Sequence, residues 1–435
     1  MTTMRGSGPV GLGLALLVAV APGSALAQSP SAAPAASAAP AASVDPAALG
    51  AQVEQIFGEV EALREIKRTA DVPWRLATRD EAWARQEESI KGDPDTLDRM
   101  AQDQVILTRL GLLPAGTDLL GMTFDLLKEQ VAGYYDPEQK DLTVIDSDGN
   151  LDIASRITLS HELDHALQDQ RWDLLAMQKS VPKVEGDRAA AMQALVEGDA
   201  TLLMLVWSMR NAMTDLGGDA GALDIPAGGS LEGIPQVLQR QLLFPYLDGF
   251  SFLNGAWGPG GWDAVNQVWS APPVSTEQIM HSEKYPDEAP IDVALPDLAA
   301  RLGEGWTQTG ETVMGELNTS VFVADGAPWD PNAFSLTGIT MPNAEAAAGW
   351  GGDRLVTLDG PDGSWVVLWQ TAWDTPADAA EFQTAAEAAL ADVAGVSAVS
   401  TADATGTGLA SPVQVLLASD ADALAALQEA VAAGS

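Results

Sequence analysis

Two of the three histidines in this 435-residue chain, His161 and His165, stand four apart in the stretch SHELDHALQDQ, with Glu162 directly after the first. On a helix, residues four apart lie one turn above each other on the same face, so both imidazoles can reach one ion. Glu162 is offset around the helix and can reach a water on that ion without ligating it. Two ligands and a general base thus sit on one rigid rod. A chain built on this pattern must fold so that a second element delivers the third ligand, and few folds satisfy that demand.

The third ligand is not the histidine of the metzincin pattern. That pattern needs glycine and histidine three and six residues after the second histidine, where this chain has Gln168 and Arg171. The remaining histidine, His281, is distant. A glutamate from a following helix is the alternative, leaving a fourth position open for water. Two candidates occur in near-identical words, VEGD at Glu185 and again at Glu197. Glu185 lies near an expected helix start, where a charge needs no special explanation. Glu197 sits within ALVEGDATLLMLVW, where a buried carboxylate is costly unless paired or bound to a metal, so Glu197 is the expected ligand. Gly198 beside it would let the two site helices approach closely.

His161, Glu162 and His165, with a glutamate on the next helix, resemble the gluzincin zinc metallopeptidases. HELDHALQD is similar to the thermolysin-type active helix, including an aspartate four residues past the second histidine, here Asp169. EGDA at Glu197 to Ala200 is similar to the ligand segment of aminopeptidase-type gluzincins. The stretch from EQVAGYYDP through STEQIMHSEKYP looks like a group of exported bacterial and archaeal metallopeptidase-like proteins. The sharp resemblance covers about forty residues and the looser one runs from roughly Ala48 to Ala300.

The resemblance implies one zinc ion held by His161, His165 and Glu197. It implies peptide-bond hydrolysis with Glu162 as base, and an oxyanion donor from a later segment, His281 first and Tyr285 second. The competing reading of His281 is a helix-end histidine satisfied by backbone. The chain departs from the thermolysin-like pattern at Thr201, where aspartate is expected. It departs also in the linker between the two helices, whose thermolysin-type length would have selected Glu185. Asp169 and Asp199 then become the candidates to hold a ligand imidazole by its other nitrogen.

Composition bounds the rest. Acidic residues number 61 against 22 basic ones, a formal net charge of −39, which repels nucleic acid and anionic membranes. There is no cysteine, so disulfides, a lipid-modified cysteine and thiolate metal ligands are excluded. Arg5, the apolar run VGLGLALLVAVA and then GSALAQ read as a secretory signal over residues 1–27. No later stretch is expected to cross a bilayer, so the mature chain is expected to be secreted, periplasmic or at the cell surface; the resemblance to gluzincins implies a peptide or protein as substrate. An Ala/Pro/Ser-rich linker follows over residues 28–45.

The expected fold is α+β, with a mostly helical, gluzincin-like domain over residues 46–300 carrying a small sheet and an edge hairpin. A small α+β domain of different texture follows over residues 301–435, with strands RLVTL, SWVVLWQTAW and PVQVLLAS. The paired tyrosines Tyr134 and Tyr135 lie on the expected edge strand, either half-buried or free to pair with a peptide main chain. DSDGNLD, residues 146–152, has carboxylates near calcium-loop spacing but lacks the glycine and terminal glutamate, so it reads as a turn. Trp365, Trp369 and Trp373 fall on one strand face, as core or, less readily, as a carbohydrate platform. Two rival functions accompany the peptidase: an exported protein merely stabilised by zinc, and a ligand- or cell-wall-binding role for the C-terminal half.

Overall fold

The structure is a computed structural model that describes residues 46–130, 133–145, 151–215, 231, 233–324, 344–401 and 409–433. The expected signal and linker, and most of the DSDGNLD stretch, lie outside these residues. The architecture is α+β, in the order α1 (Pro46–Arg64), β1 (Trp74–Ala77), α2 (Arg79–Gly92), α3 (Pro94–Arg109), α4 (Leu119–Gln130), β2 (Gly133–Asp136) and β3 (Asp141–Ile145). Then come α5 (Ile153–Trp172), α6 (Leu174–Lys179), α7 (Gly186–Asp215), α8 (Gln236–Ser270), α9 (Thr276–Met280) and α10 (Leu298–Leu302). The C-terminal part holds β4 (Thr307–Thr312), α11 (Gly315–Val323), β5 (Trp350–Asp359), β6 (Trp365–Trp373), α12 (Pro376–Ala389), β7 (Val396–Thr401), β8 (Val413–Ala418) and α13 (Ala421–Ala432).

The expected hairpin forms: β2 pairs antiparallel with β3, β1 adds in parallel on the other side, and β2 is left as an edge. Behind it, α5 starts where the Asp152 carboxylate accepts the Ser155 N–H, an N-cap that satisfies an otherwise orphaned donor. Its apolar residues Leu159, Leu163, Ala166 and Leu167 are buried in one cluster with residues of α1, α7 and α8. Helix α7 is long and apolar enough over residues 186–211 to cross a membrane by length and composition, which corrects the expectation that no such stretch follows the signal. Here it is a core helix, with Leu195, Ala200, Leu202, Leu203 and Trp207 buried against its neighbours.

The closest helix contact is between α7 and α8, and two glycines permit it. A Cβ on Gly198 would lie 2.3 Å from the Gly249 carbonyl carbon, and one on Gly249 would lie 2.2 Å from the Ala194 oxygen. Gly198 therefore serves a close approach as expected, but to α8 rather than to the helix carrying the histidines.

The C-terminal sheet runs β4-β5-β6-β8-β7, antiparallel throughout. Both faces are covered. One carries Trp350, Trp369 and Trp373 under α11 and α12, with Phe382 stacked on Trp373 at 4.5 Å. The other packs Val356, Leu358 and Leu368 against α13. Trp369 and Trp373 are fully buried and Trp365 lies under Arg109, so there is no carbohydrate platform on this face.

The change of texture near residue 300 is not a boundary in packing. Ile106 and Leu110 of α3 belong to the core of the C-terminal sheet, Leu317 of α11 belongs to the core around α5, and Val321 shares a cluster with Leu107 and Leu243. The polar part of the junction is buried as well. Asp187 on α7 accepts from the N–H and hydroxyl of Thr276, and Asp353 accepts from the Met314 and Gly315 N–H groups and the indoles of Trp350 and Trp369. Lys284 joins Glu277, Glu288 and Asp374 across the same junction.

Two outcomes follow from this packing. Gly198→Ala places a methyl group against backbone, and overpacking of this kind costs roughly 1–3 kcal/mol, read as a lowered denaturation midpoint at unchanged slope. Burial pushes the Asp187, Glu277 and Asp353 carboxyls up to about 8, about 7 and about 6. The folded state then binds more protons than the unfolded chain above roughly pH 4, so stability falls as pH rises from there to about 8. Thermal unfolding followed from pH 5 to 9 is expected to show that decline, and Asp187→Asn to make it shallower.

Candidate metal centre

One turn of α5 presents His161 and His165 to α7, which presents Glu197. The Nε2 atoms of the two histidines are 3.0 Å apart, and the Glu197 Oε2 lies 3.1 Å from the first and 3.4 Å from the second. Four-coordinate zinc, with bonds of about 2.0–2.1 Å, separates neighbouring ligand atoms by roughly 3.3 Å. The triangle therefore has the dimensions of three corners of such a site, and the group can hold a metal ion. Glu162 Oε1 and Glu197 Oε1 are buried with no hydrogen-bond partner. The open Glu197 Oε1 is a buried acceptor that a cation would complete, and the Glu162 Oε1 stands free beside it.

The protonation of the group points the same way. Burial works against a charged His165, yet Glu197 and Glu162 outweigh it and lift the imidazole to about 9. Burial raises the Glu197 carboxyl, but His165 and His161 more than offset it and hold it low. Two histidines facing one carboxylate thus draw a positive charge to their centre, as a proton or as a metal. His161 is pushed down by burial, which leaves its ring neutral and able to ligate.

Glu162 is placed by the hairpin. Its Oε2 accepts the Tyr135 main-chain N–H at 2.8 Å, and burial pushes its carboxyl up to about 8. Tyr135 is held in turn: its hydroxyl donates to the Asp169 Oδ2 at 2.7 Å, and Lys140 across the turn donates to the same oxygen at 3.0 Å. The edge strand is as expected, but Tyr134 and Tyr135 are buried rather than half-buried, and the Tyr135 N–H serves Glu162.

Neither expected carboxylate holds a ligand imidazole. Asp169 is committed to the hairpin, and Asp199 accepts from Arg64 Nη2 and from the Trp269 indole, both at 2.8 Å. The partner of His165 is Gln168, whose Oε1 lies 2.9 Å from Nδ1 and whose amide NH2 donates to Asp164 and to the Val196 carbonyl. Arg64, fully buried at the end of α1, then closes the set. It lies 3.9 Å from Asp164 and donates to Asn266, with its guanidinium 4.5 Å from the Trp262 ring. Gln168 was visible in the sequence as the residue three after His165, a spacing that puts two side chains together on a helix. Arg64, 135 positions from Asp199, carried no local signal.

Glu185 is partly exposed and paired with Arg354, so Glu197 alone of the two joins the histidines. His281 caps the end of α9 and bonds Glu316 of α11 at 2.8 Å, a contact that raises its pKa. Tyr285 donates to the Ala271 carbonyl at 2.7 Å. Among the described residues, no hydrogen bond or ring contact links either to the ligand group. The phenol ring beside the site is that of Tyr246 on α8, stacked 6.2 Å from His161.

Elemental analysis is expected to find one equivalent of a divalent metal in the purified protein, lost in Glu197→Gln and kept in Glu185→Gln. Gln168→Met, which frees the Nδ1 of His165, is expected to weaken zinc binding by roughly tenfold in a chelator competition.

Residues 301–427 match a family model described as "Domain of unknown function (DUF8575)". No curated protein and no solved structure matches the chain.

Proposed function

We propose that this protein is an exported zinc-dependent metallopeptidase that hydrolyses peptide bonds with Glu162 as general base. His161, His165 and Glu197 would hold the ion, and two imidazoles with one carboxylate suit zinc best. Bound there, zinc supplies Lewis acidity toward a water and a substrate carbonyl. The residues of the chain do the rest. The Tyr135 N–H fixes one oxygen of Glu162 and leaves Oε1 free, so the carboxylate in its ionised form, which a bound cation would favour, can take a proton from water at that atom and return it to the departing amine. Gln168 keeps the Nδ1 proton of His165 engaged, which directs Nε2 toward the ion.

The observation that carries this reading is the free Oε1 of Glu162 beside the ligand triangle. A metal that only stiffens a fold needs no base there. Export is supported by the N-terminal sequence pattern, and a peptide substrate by the resemblance of the HELDH helix to gluzincin metallopeptidases.

A second reading is a zinc ion that only joins α5 to α7. It is favoured by burial, because His161, Glu162, His165 and Glu197 are each no more than 2% exposed. Glu162→Gln separates the two. On the peptidase reading the variant keeps its zinc, and cleavage of a casein-type substrate falls by about a thousandfold, within the range of general-base catalysis. Zinc retained with no cleavage by the unmodified protein would establish the structural role instead.

A further inference from the structure

Among the places where the C-terminal domain meets the helical half is the start of the helix that carries Glu197. Gly315 has φ +71°, and a Cβ there would lie 1.8 Å from the Asp187 Oδ1, so the turn before α11 is seated directly on the first turn of α7. Beside it, the Val313 N–H donates to the Val184 carbonyl at 3.0 Å, and a Cβ on Gly186 would meet the Val313 oxygen at 3.2 Å. Thr276 links the two parts: its N–H and hydroxyl donate to Asp187, and the same hydroxyl oxygen accepts the Leu317 N–H at 3.1 Å. Asp353, from the sheet, holds the turn from the other side through Met314 and Gly315. Asp187, Thr276 and Asp353 are all buried, so water does not compete for these bonds.

We infer that residues 301–427 act as a brace on the metal-ligand helix, fixing the start of α7 and through it the position of Glu197. Glu197 lies ten helical positions beyond Asp187, roughly 15 Å along a rigid rod. Displacement or fraying at the first turn of α7 is therefore carried to the ligand. The core of this domain takes in Ile106 and Leu110 from the helical half, so it is packed as one body with the helix it holds. The inference rests on the reading of His161, His165 and Glu197 as metal ligands.

The test uses the full-length chain with Thr276→Val, which removes the hydroxyl at constant shape, beside Thr276→Ser, which keeps it. Zinc affinity is measured by competition with a chromophoric chelator, and amide hydrogen exchange over residues 187–198 is followed in the metal-free protein. Thr276→Val is expected to bind zinc roughly tenfold more weakly and to exchange faster over that segment, with Thr276→Ser close to the unmodified protein. Gly315→Ala is expected to shift both readings further in the same direction, and if it does not fold the Thr276 pair decides alone. Leu427→Ala, on the far face of the C-terminal sheet, should lower thermal stability and move neither reading. The brace is overturned if Thr276→Val leaves both unchanged, or if Leu427→Ala moves them as much. An unmodified protein that takes up no zinc disproves the metal reading instead. The exchange data then decide the brace: faster exchange in Thr276→Val supports it, and unchanged exchange rejects it.

Discussion

Negative charge buried in an apolar core sets the terms for the rest of this molecule. Asp164 and Asp169 on α5 and Glu197 and Asp199 on α7 lie almost without access to water. A buried charge left without a partner is destabilising by about 3–5 kcal/mol, so each carboxylate demands compensation. Asp169 takes Lys140 and a tyrosine hydroxyl, Asp164 and Asp199 share Arg64, and Glu197 takes the histidine pair. Seen this way, the hairpin, the first helix and the ligand triangle answer one electrostatic problem. The indoles of Trp172 and Trp262 flank the guanidinium of Arg64 and keep it dry.

How much of this was legible in the sequence depends on the range of each interaction. The histidine pair with its glutamate is a local pattern, and helix geometry alone placed it. The choice of Glu197 over Glu185 came from the apolar residues around it, and the structure brings Glu197 to the histidines while Glu185 faces Arg354. Gln168 was passed over because a carboxylate partner was expected for the imidazole, whereas an amide can accept from a ring N–H while donating elsewhere. The partners of His281 and Arg64 are brought by tertiary folding and leave no spacing to read.

Two strands that went unseen share a composition. β4, with the sequence TQTGET, and β7, with VSAVST, are edge strands of polar and small residues, and neither has the bulky alternation that marks a half-buried strand. The tryptophans of β6 carried the opposite ambiguity, since aromatic residues on one strand face serve a core and a sugar platform equally well. The choice is settled by α11 and α12, which supply Phe322 and Phe382 against Trp369. Apolar clusters run across the change of texture near residue 300, because packing follows faces and not segments.

The place of Arg64 has a consequence for how the chain can mature. It is the last residue of a helix that begins at Pro46, directly after the Ala/Pro/Ser-rich tract. A cut that released the helix would take away the one cation shared by Asp164 and Asp199, together with the apolar face of Val53, Ile56, Phe57 and Val60. The first helix is thus part of the core it precedes, and losing it would leave Asp164 and Asp199 without their shared guanidinium.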